Sequence, residues 1–524
     1  MYFKVKQFFL LIFILLLLPI KLFCQHQNIL IDATGNPEEP SIFINPKNTK
    51  QIVAGANINK VFYSDDSGLT WKSGKMSSSF GVWGDPVILV DTSGNFYFFH
   101  LSYGSGSEGW LDRIVCQKLN DFNSKSWNDG SFMGSDFKKD HDKQWTVVNP
   151  KTNEIYSTWT VFDKYDSTNP KDSSNIHFSK SSDGGMTWSK DIRINELGGD
   201  CLDSDNTTEG AVPSVGPNGE IYVAWSNRNK IWFDKSTDNG TTWLSNDVFV
   251  ANQFGGWDYS IPGISRCNGL PITVCDLSNS AHRGTIYVNW TDQKNGVDDT
   301  DVWLCKSNDG GNTWSEPKRV NDDEPGKHQF FTWMSIDQTT GYLYFVYYDR
   351  RRFNDNKTDV YMALSKDGGD SFVNFRISES PFIPDANVFF GDYNNLSVQN
   401  GVIRPIWTRM DNGITSVWTA IVDETKVKNE DISKDDCENL NLFPNPTKNI
   451  VYYSYKIRKK TNVRVELISQ DGKMIHNLVN NIEQEPNMYV IEIPIDQYNI
   501  SNGTHFIRLT ENGITKTKKL IVQH

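Results

Sequence analysis

The sequence predicts an all-β fold: a β-propeller of seven blades, or alternatively six, followed by a small C-terminal β-sandwich. A string of the form S-x-D-x-G-x-T-W recurs along the chain, and its copies follow segments rich in aromatic and β-branched residues. No long helical heptad pattern occurs in the 524 residues. We therefore expect many short strands joined by tight turns.

The repeated string has five copies, which begin at Ser64, Ser181, Ser236, Ser307 and Ser365. In each copy the Asp and Ser side chains can accept hydrogen bonds from backbone amides, while Gly takes a positive φ. The terminal aromatic residue can anchor the hairpin against the apolar layer beneath it. We therefore predict that each copy is a turn between two outer strands, with a structural rather than a catalytic role.

Pairs of inner strands are predicted before these turns. Counting them gives seven units, which begin near Ser41, Pro86, Trp145, Val212, Ile272, Ser335 and Leu396. The seventh unit is one strand short, and the extended segment 28–33 could supply that strand and close the ring. Six blades remain the alternative if the first or second unit is incomplete.

The first 24 residues have the layout of a signal peptide, with Lys4 and Lys6 before an apolar run from Phe8 to Ile20. This run is too short to span a bilayer comfortably, and no second apolar stretch of spanning length follows. We therefore expect an exported protein with no integral membrane segment after cleavage. Lipidation of Cys24 is the less favoured alternative.

Six further cysteines follow the predicted signal peptide: Cys116, Cys201, Cys267, Cys275, Cys305 and Cys437. Their even number in an exported chain allows disulfides, and Cys267 with Cys275 is the first candidate because the loop between them is short. The alternative is that several of them are buried free thiols. No spacing resembles a zinc site.

Two Asp-rich loops offer oxygen ligands for calcium, one with Asp298, Asp299 and Asp301 and the other with Asp203 and Asp205. Neither matches a known calcium-loop spacing, so we expect solvated surface there. No phosphate loop or dinucleotide fingerprint is present. We therefore predict no metal and no cofactor.

The formal charge of the chain is −12, although the segment from residue 441 onward is basic. The body before it is therefore more acidic than the chain as a whole. Such a body repels polyanions, so nucleic acid is excluded as a partner.

The C-terminal region changes in composition. Residues 423–440 are charged and poor in apolar residues, which predicts a linker, and residues 441–524 alternate strands with turns, which predicts a small sandwich. The strings PNP at Pro444, DGK at Asp471 and KKLIV at Lys518 resemble a type A sorting domain of the type IX secretion system. This resemblance implies export across the outer membrane by that machinery, then release or surface attachment. An ordinary carbohydrate-binding sandwich is the alternative.

Residues 25–422 resemble the BNR or Asp-box repeats of the sialidase superfamily. The resemblance rests on the five repeated turns and on the strings DKQW at Asp142, DRRR at Asp349 and FFGDYNNLSV at Phe389. It implies an extracellular glycan or glycoconjugate as the partner and, if the protein is catalytic, a glycoside hydrolase of the exo-sialidase type.

A sialidase holds its substrate carboxylate with three arginines, and it needs a tyrosine nucleophile paired with a glutamate. The first family arginine sits in an Arg-Ile-Pro string near the first blade. This chain instead reads NPEEPSIFIN from Asn36, with Glu39 and Pro40 where the arginine is expected. True sialidase activity is therefore in doubt.

Loops that lead into the innermost strands form the ligand sites of propellers, so candidate site residues are sought there. The predicted catalytic residues are Asp85, Asp142, Glu209, Asp258, Asp392 and Tyr393. The predicted substrate-binding residues are Trp83, His141, Trp257, Arg266, His328, Arg350 and Arg409. Paired carboxylates suit acid–base work on a glycosidic bond, and aromatic faces suit sugar rings. For each residue alone, loop bracing or packing between blades is the competing interpretation.

Three functional hypotheses remain. The first is a secreted glycan-processing hydrolase that acts on extracellular polysaccharide or glycoconjugate. The second is a non-catalytic surface propeller that binds glycans or proteins. The third and weakest is a polysaccharide lyase that uses His141 or His328 with Tyr393 as its acid–base pair. Fold alone does not separate them, because propellers host many functions.

Overall fold

The computed structural model describes residues 26–103, 110–134, 138–427, 442, 444–457, 460–485, 487–511 and 514–523. The predicted signal peptide, most of the predicted linker and Cys437 lie outside the described residues. The chain divides into two compact units, a larger one at Asn28–Ile432 and a smaller one that contains Ser433–His524. Among the described residues, no helix is long and apolar enough to cross a membrane.

The larger unit is built almost entirely of short strands. In chain order these are β1 (Gln27–Asp32), β2 (Ser41–Ile44), β3 (Ile52–Ala56), β4 (Lys60–Ser64), β5 (Lys72–Lys75), β6 (Val87–Val90), β7 (Phe96–Tyr103), β8 (Trp110–Asp121), β9 (Ser126–Trp127), β10 (Ser131–Met133), β11 (Asp140–Val148), β12 (Ile155–Phe162), β13 (Ser174–Ser181), β14 (Ile192–Arg193), β15 (Glu209–Val215), β16 (Ile221–Asn227), β17 (Lys230–Ser236), β18 (Val248–Asn252), β19 (Asp258–Tyr259), β20 (Cys267–Asn268), β21 (Ile272–Cys275), β22 (Ile286–Asp292), β23 (Asp301–Ser307), β24 (Lys318–Arg319), β25 (Gln329–Asp337), β26 (Tyr342–Asp349), β27 (Asp359–Ser365), β28 (Val373–Arg376), β29 (Asn395–Gln399), β30 (Val402–Asp411) and β31 (Ile414–Ile421). A short 3-10 helix follows at Glu424–Lys426.

These strands form small antiparallel sheets that follow one another along the chain. The sheets are β2 to β5, β6 to β10, β11 to β14, β15 to β18, β21 to β24, β25 to β28, and β29 to β31 with β1. β1 lies beside β31 as the outermost strand of the last sheet, where the sequence predicted the missing strand. β19 and β20 form a separate two-stranded sheet.

The first strands of the seven larger sheets surround a common centre. Each contacts the first strand of the next sheet, and β29 of the last sheet contacts β2 of the first. The loops that lead into these strands therefore meet at one end of the ring. This propeller-like arrangement brings residues that are remote in sequence to the same place.

The outer turns carry the repeated string. Strands β4, β13, β17, β23 and β27 each end at the serine of one copy. In the second copy, Asp183 accepts hydrogen bonds from the backbone amides of Met186 and Thr187 at 3.0 and 2.9 Å. The N–H of Gly185, at a φ of 77°, donates to the Ser181 hydroxyl at 2.9 Å. Slight burial would raise the pKa of Asp183, but these bonds and one from the Thr187 hydroxyl lower it to about 2.

Aromatic residues of the second strands fill the space between neighbouring sheets. Trp159, Trp225, Trp290 and Trp407 occupy matching positions on β12, β16, β22 and β30. All four are at most 2% exposed. Each indole buries a large apolar area, so this layer contributes much of the stability of the ring.

The predicted disulfide between Cys267 and Cys275 is wrong. Both are free and buried, as are the other cysteines of the described chain. Cys267 packs with Tyr259 and Phe330, whereas Cys275 packs in a different apolar cluster with Trp290. The loop between the cysteines is short, but their side chains enter separate parts of the core.

The expectation of solvated surface is also wrong for Asp299 and Asp301, which are 6% and 0% exposed. Asp301 accepts hydrogen bonds from the side-chain amides of Asn295 and Asn321, both at 2.6 Å. These bonds replace the water that a buried carboxylate loses.

The smaller unit contains six strands in its described residues: β32 (Ile450–Ile457), β33 (Thr461–Ser469), β34 (Met474–Gln484), β35 (Asn487–Pro494), β36 (Gly503–Glu511) and β37 (Ile514–Val522). β32 pairs with β35, and the other four form a sheet in the order β34, β33, β36, β37. One apolar core, which includes Val451, Val465, Ile493 and Ile507, joins the two sheets.

Candidate functional site

A narrow pocket with about 30 Å³ of water-accessible space lies at the centre of the ring. Residues from successive sheets line it, among them Lys143, Trp145, Trp333, Asp392 and Tyr393. The indoles of Trp145 and Trp333 lie 4.3 Å apart between ring centroids, and Tyr393 meets Trp145 edge to face at 5.2 Å. These aromatic walls provide flat apolar faces beside charged groups.

The backbone adopts an uncommon conformation at the same point of several first strands. Glu39, Asp85, Lys143 and Phe331 have φ values of 52°, 47°, 50° and 48°. Each stands two residues before the regular part of its strand, and Gly210 takes the equivalent position in a fifth sheet with a φ of 82°. A positive φ strains residues other than glycine, and such strain concentrates at functional sites.

Three of these positions lie in β-bulges. The pairing register shifts between Asp142 and Trp145 on β11, between Glu209 and Val212 on β15, and between Phe330 and Trp333 on β25. A bulge redirects the side chains on either side of it. The repeated bulge explains how first strands of ordinary composition present carboxylates and aromatic rings at one centre.

Lys143 is the cation at the middle of the cluster. It is 7% exposed, and its Nζ lies 2.5 Å from Asp392 Oδ2, 3.7 Å from Asp85 Oδ2 and 3.9 Å from Glu39 Oε1. Burial alone would lower the pKa of Lys143, but these carboxylates raise it well above its usual value. Lys143 is therefore charged and joins three loops through ion pairs.

Arg266 is the second cation of the cluster. It donates to both carboxylate oxygens of Asp392, and its Nη1 lies 3.1 Å from Asp203 Oδ2. Asp203 also accepts a hydrogen bond from the Tyr165 hydroxyl at 2.6 Å. Burial would raise the pKa of Asp392, but Lys143 and Arg266 lower it to about 2. Asp392 is thus ionised in any physiological medium.

Other carboxyl groups of the cluster hold protons more strongly. Burial, followed by the charge of Asp85, raises the pKa of Asp142 to about 8, although Lys143 opposes this. Burial and the neighbouring Asp203 raise the pKa of Glu209 well above its usual value. Glu209 is 0% exposed, and within the described chain no N–H or O–H group donates to its carboxylate.

Glu39 is held from both sides. Its carboxylate accepts the Asp392 backbone N–H at 3.0 Å and the side-chain amide of Asn57. Burial and the charge of Asp85 raise the pKa of Glu39 well above its usual value. The sequence identified Glu39 only as a residue that stands where a family arginine is expected, whereas in the structure it braces the loop of Asp392.

The structure brings together six of the predicted site residues: Asp85, Asp142, Glu209, Arg266, Asp392 and Tyr393. The Tyr393 hydroxyl is buried and has no hydrogen-bond partner among the described residues. The Lys143 ammonium lies 6.0 Å from the centre of its ring. Tyr393 is therefore a free polar group on the pocket wall.

Two predicted residues lie on the periphery. Asp258 is exposed, and its backbone N–H donates to Asp205 at 2.9 Å. Trp83 is 36% exposed and stacks on Tyr103 with 4.7 Å between ring centroids. Neither lines the central pocket.

The remaining predicted residues have contacts elsewhere. His141 accepts a hydrogen bond from Trp159 at 2.9 Å, and Trp257 donates to the Thr207 carbonyl at 3.2 Å. His328 and Arg350 line a second cavity. Arg350 donates to the carbonyl of Pro262, and Arg409 donates to that of Ser380. Arg266, Arg350 and Arg409 therefore do not form one anion site.

Sequence reasoning missed Lys143, Asp203, Trp145 and Trp333 as site residues. Lys143 and Trp145 belong to the DKQW string, and Trp333 occupies the matching place in FFTW. Alignment of these two strings on their shared tryptophan is the signal that could have identified the aromatic wall. The contacts of Asp203 are with residues far away in sequence, and no local pattern predicts them.

Residues 441–523 match the family model described as a secretion system C-terminal sorting domain. This match confirms the predicted sorting domain and its use by the type IX machinery, so the protein is secreted or attached to the cell surface. No curated protein matches the chain.

Solved structures similar to the chain are sialidases and related glycan-processing enzymes. A Hadza microbial sialidase has 13% identity and a TM-score of 0.42, with 71% of this chain and 73% of that chain covered. A PL25 ulvan lyase has 12% identity and a TM-score of 0.48, with 76% and 96% covered. The α-L-arabinofuranosidase Arb93A from Fusarium graminearum has 10% identity and a TM-score of 0.43, with 77% and 99% covered.

Proposed function

We propose that the protein is a secreted glycoside hydrolase whose active site is the central pocket of a seven-bladed β-propeller with Asp-box outer turns. The observation that carries this proposal is a cluster around Lys143 in which carboxyl groups hold opposite protonation states beside an aromatic wall. Asp142 has a pKa of about 8, and Asp392 has a pKa of about 2. A glycosidase requires one carboxylic acid and one carboxylate at the scissile bond.

In this proposal Asp142 is the general acid. It is partly exposed, keeps its proton at neutral pH and can give it to the leaving oxygen of a glycoside. Asp392 is the fixed negative charge that stabilises the oxocarbenium-like transition state. Lys143 and Arg266 position Asp392 through their ion pairs. Tyr393 offers its hydroxyl to the substrate from the pocket wall.

The substrate class follows from the charges. Lys143 and Arg266 are the cations of the cluster, and both are already paired with carboxylates. A sugar carboxylate would therefore gain no free cation there and would meet Glu39, Asp85 and Asp203. We propose an uncharged sugar at the cleavage site rather than a sialic acid.

A surface propeller that binds glycans without cleaving them is the second candidate. The observation that favours it is the depth of the acidic groups, because Glu39 and Glu209 are only 2% and 0% exposed. Buried acidic groups can serve to fix loops rather than to perform chemistry, as Glu39 does for the loop of Asp392. The lyase alternative gains nothing from the contacts of His328, which lies beside Thr300 at 3.2 Å in the second cavity.

A panel of neutral, sialylated and uronate-containing glycans tests these functions. We expect the purified full chain to release reducing ends from a neutral glycan, and D142N to lower the rate by about 10²–10⁴-fold. The activity should decline above about pH 8, where Asp142 loses its proton. D65N is the matched control, since Asp65 lies in an outer turn with its side chain 67% exposed.

The outcomes separate the candidates. Glycans that are retained but release no reducing ends would replace the hydrolase by the binding propeller. New double-bond absorbance would indicate a lyase. Full activity of D142N would remove Asp142 from the role of general acid.

A further inference from the structure

We propose a divalent cation site, suited to calcium, formed by Glu196, Asp234 and Asp247 on the outer part of the fourth sheet. One carboxylate oxygen from each residue lies within 4.8 Å of the others. Asp234 is on β17, Asp247 directly precedes β18, and Glu196 is in the loop after β14. The site is distinct from the central pocket, whose lining contains none of these residues.

The two loops of this cluster hold each other in place. The Asp247 backbone N–H donates to the Glu196 carboxylate at 2.6 Å, and the Glu196 backbone N–H donates to the Asp247 carboxylate at 3.1 Å. Each residue thus fixes the other with one oxygen. The second oxygen of each carboxylate is left for another partner.

Two buried oxygens of the cluster lack such a partner. Asp234 is 0% exposed, and its Oδ2 has no hydrogen-bond partner among the described residues. The same holds for Oδ1 of Asp247. A buried carboxylate oxygen without a donor is costly, and a bound cation would satisfy both oxygens together.

The other repeats show that this buried carboxylate is not needed for the fold. Asp234 stands two residues before the repeat serine, where β13 has Ser179 and β23 has Cys305. Ser179 and Cys305 each donate to a backbone carbonyl, at 2.8 and 3.2 Å. Asp234 makes the equivalent contact with Oδ1, which accepts the Leu244 N–H at 3.0 Å. Its Oδ2 takes no part in this contact.

No side-chain cation neutralises the cluster in the described part of the chain. The nearby Lys235 donates instead to Gly310 and Asn312, at 2.7 and 2.9 Å. Arg193 donates to the backbone carbonyl of Glu196 rather than to its carboxylate. Among the described residues, no side-chain cation therefore donates to the free Oδ2 of Asp234.

The donor set is made only of carboxylate oxygens, which hard cations prefer. Glu196 is exposed, so water can complete the shell, and flexible coordination of this kind favours calcium over the strictly octahedral magnesium. An exported protein meets calcium outside the cell. We expect an apparent Kd on the order of 10⁻⁴–10⁻³ M, as in extracellular calcium modules.

The test uses the full chain, stripped with a chelator and then titrated with calcium chloride or magnesium chloride. Thermal unfolding and isothermal titration calorimetry are followed in parallel. We expect calcium to raise the Tm saturably and to give one binding event, with a weaker magnesium response. D234S, which copies Ser179 of the third sheet, should abolish both signals and should be at least as stable as the wild type in chelator.

D247N and D65N complete the series. D247N keeps an acceptor for the Glu196 N–H but removes a charge, so we expect at least tenfold weaker calcium binding even if D234S does not fold. D65N should bind as the wild type does. A wild-type chain with no calcium response, or a D234S or D247N chain with an unchanged response, would overturn the proposal.

Discussion

Aspartates of the outer turns and three acidic residues of the central loops have opposite protonation behaviour, whereas Asp392, which Lys143 and Arg266 pair, resembles the outer aspartates. Four of the five repeat aspartates have pKa values of about 2, and the first three of them are exposed: Asp183, Asp238, Asp309 and Asp367. The central acids Glu39, Asp142 and Glu209 have raised pKa values. Backbone amides surround each outer carboxylate, whereas burial and other carboxylates surround the central ones.

The protonation state of an acidic residue therefore depends on whether its hydrogen-bond and ion-pair partners lie nearby in sequence or on distant parts of the chain. An outer aspartate finds its donors within four residues of itself, so its role is complete inside one turn. Asp392 depends on Lys143 and Arg266, which lie on other sheets. The central site exists only when the ring has formed.

Removal of the Lys143 charge should have the largest effect on stability. K143M would leave Asp392 and Asp85 without their shared cation, and loss of one member of a buried charge cluster costs about 3–5 kcal/mol. Chemical denaturation measures this cost. K72M is the control, because Lys72 is 68% exposed and its ion pair is 4.0 Å long, so we expect a change within about 0.5 kcal/mol. Equal stability of K143M and the wild type would contradict the importance of the cluster.

Loss of an outer aspartate should have a smaller effect. D183A removes an acceptor of two backbone amides and two hydroxyls at a solvent-exposed turn, so we expect a loss of about 1 kcal/mol in the free energy of unfolding. D65A changes a neighbouring position of another copy and should cost almost nothing. If D183A cost as much as K143M, the contrast between the two regions would be wrong.

The pH dependence of stability should separate the two regions by sign. Asp183 has a lowered pKa, so its contribution is present above pH 4 and is lost as the pH falls toward 2. Asp142 has a raised pKa, so its ionisation reduces stability as the pH rises from about 4 to 8. Denaturation midpoints should be measured across pH 2–9. Compared with the wild type, D183A should lose less stability between pH 4 and 2, and D142N should lose less stability between pH 4 and 8. Interchanged effects would refute the assignments.

The sequence was sufficient for features that local chemistry determines. The repeated serine, aspartate and glycine specify the outer turns, and strand pairs such as the one that begins near Val212 specify the inner hairpins. The loops before the first strands were also identified as the place of Asp85, Asp142 and Asp392. For the turns and the hairpins, the relevant partners lie within one or two strands.

Long-range packing determined what could not be predicted. The sequence does not show that Lys143 forms an ion pair with Asp392, or that Arg350 donates a hydrogen bond to the Pro262 carbonyl. It also does not show that Cys267 and Cys275 pack in different apolar clusters. Positive φ at Glu39 and Lys143 was also hidden, because neither residue type favours that conformation. The choice between hydrolase and binding propeller depends on these features.

The placement of β1 beside β31 has a consequence for biogenesis. The strand begins at Gln27, directly after the predicted signal peptide, and it pairs with a strand near the opposite end of the larger unit. Loop-closure entropy makes such a contact a late event in folding. Until then β31 presents an open edge on which a second chain can add. Proteolytic removal of β1 would therefore leave the edge of β31 open and make the protein prone to self-association.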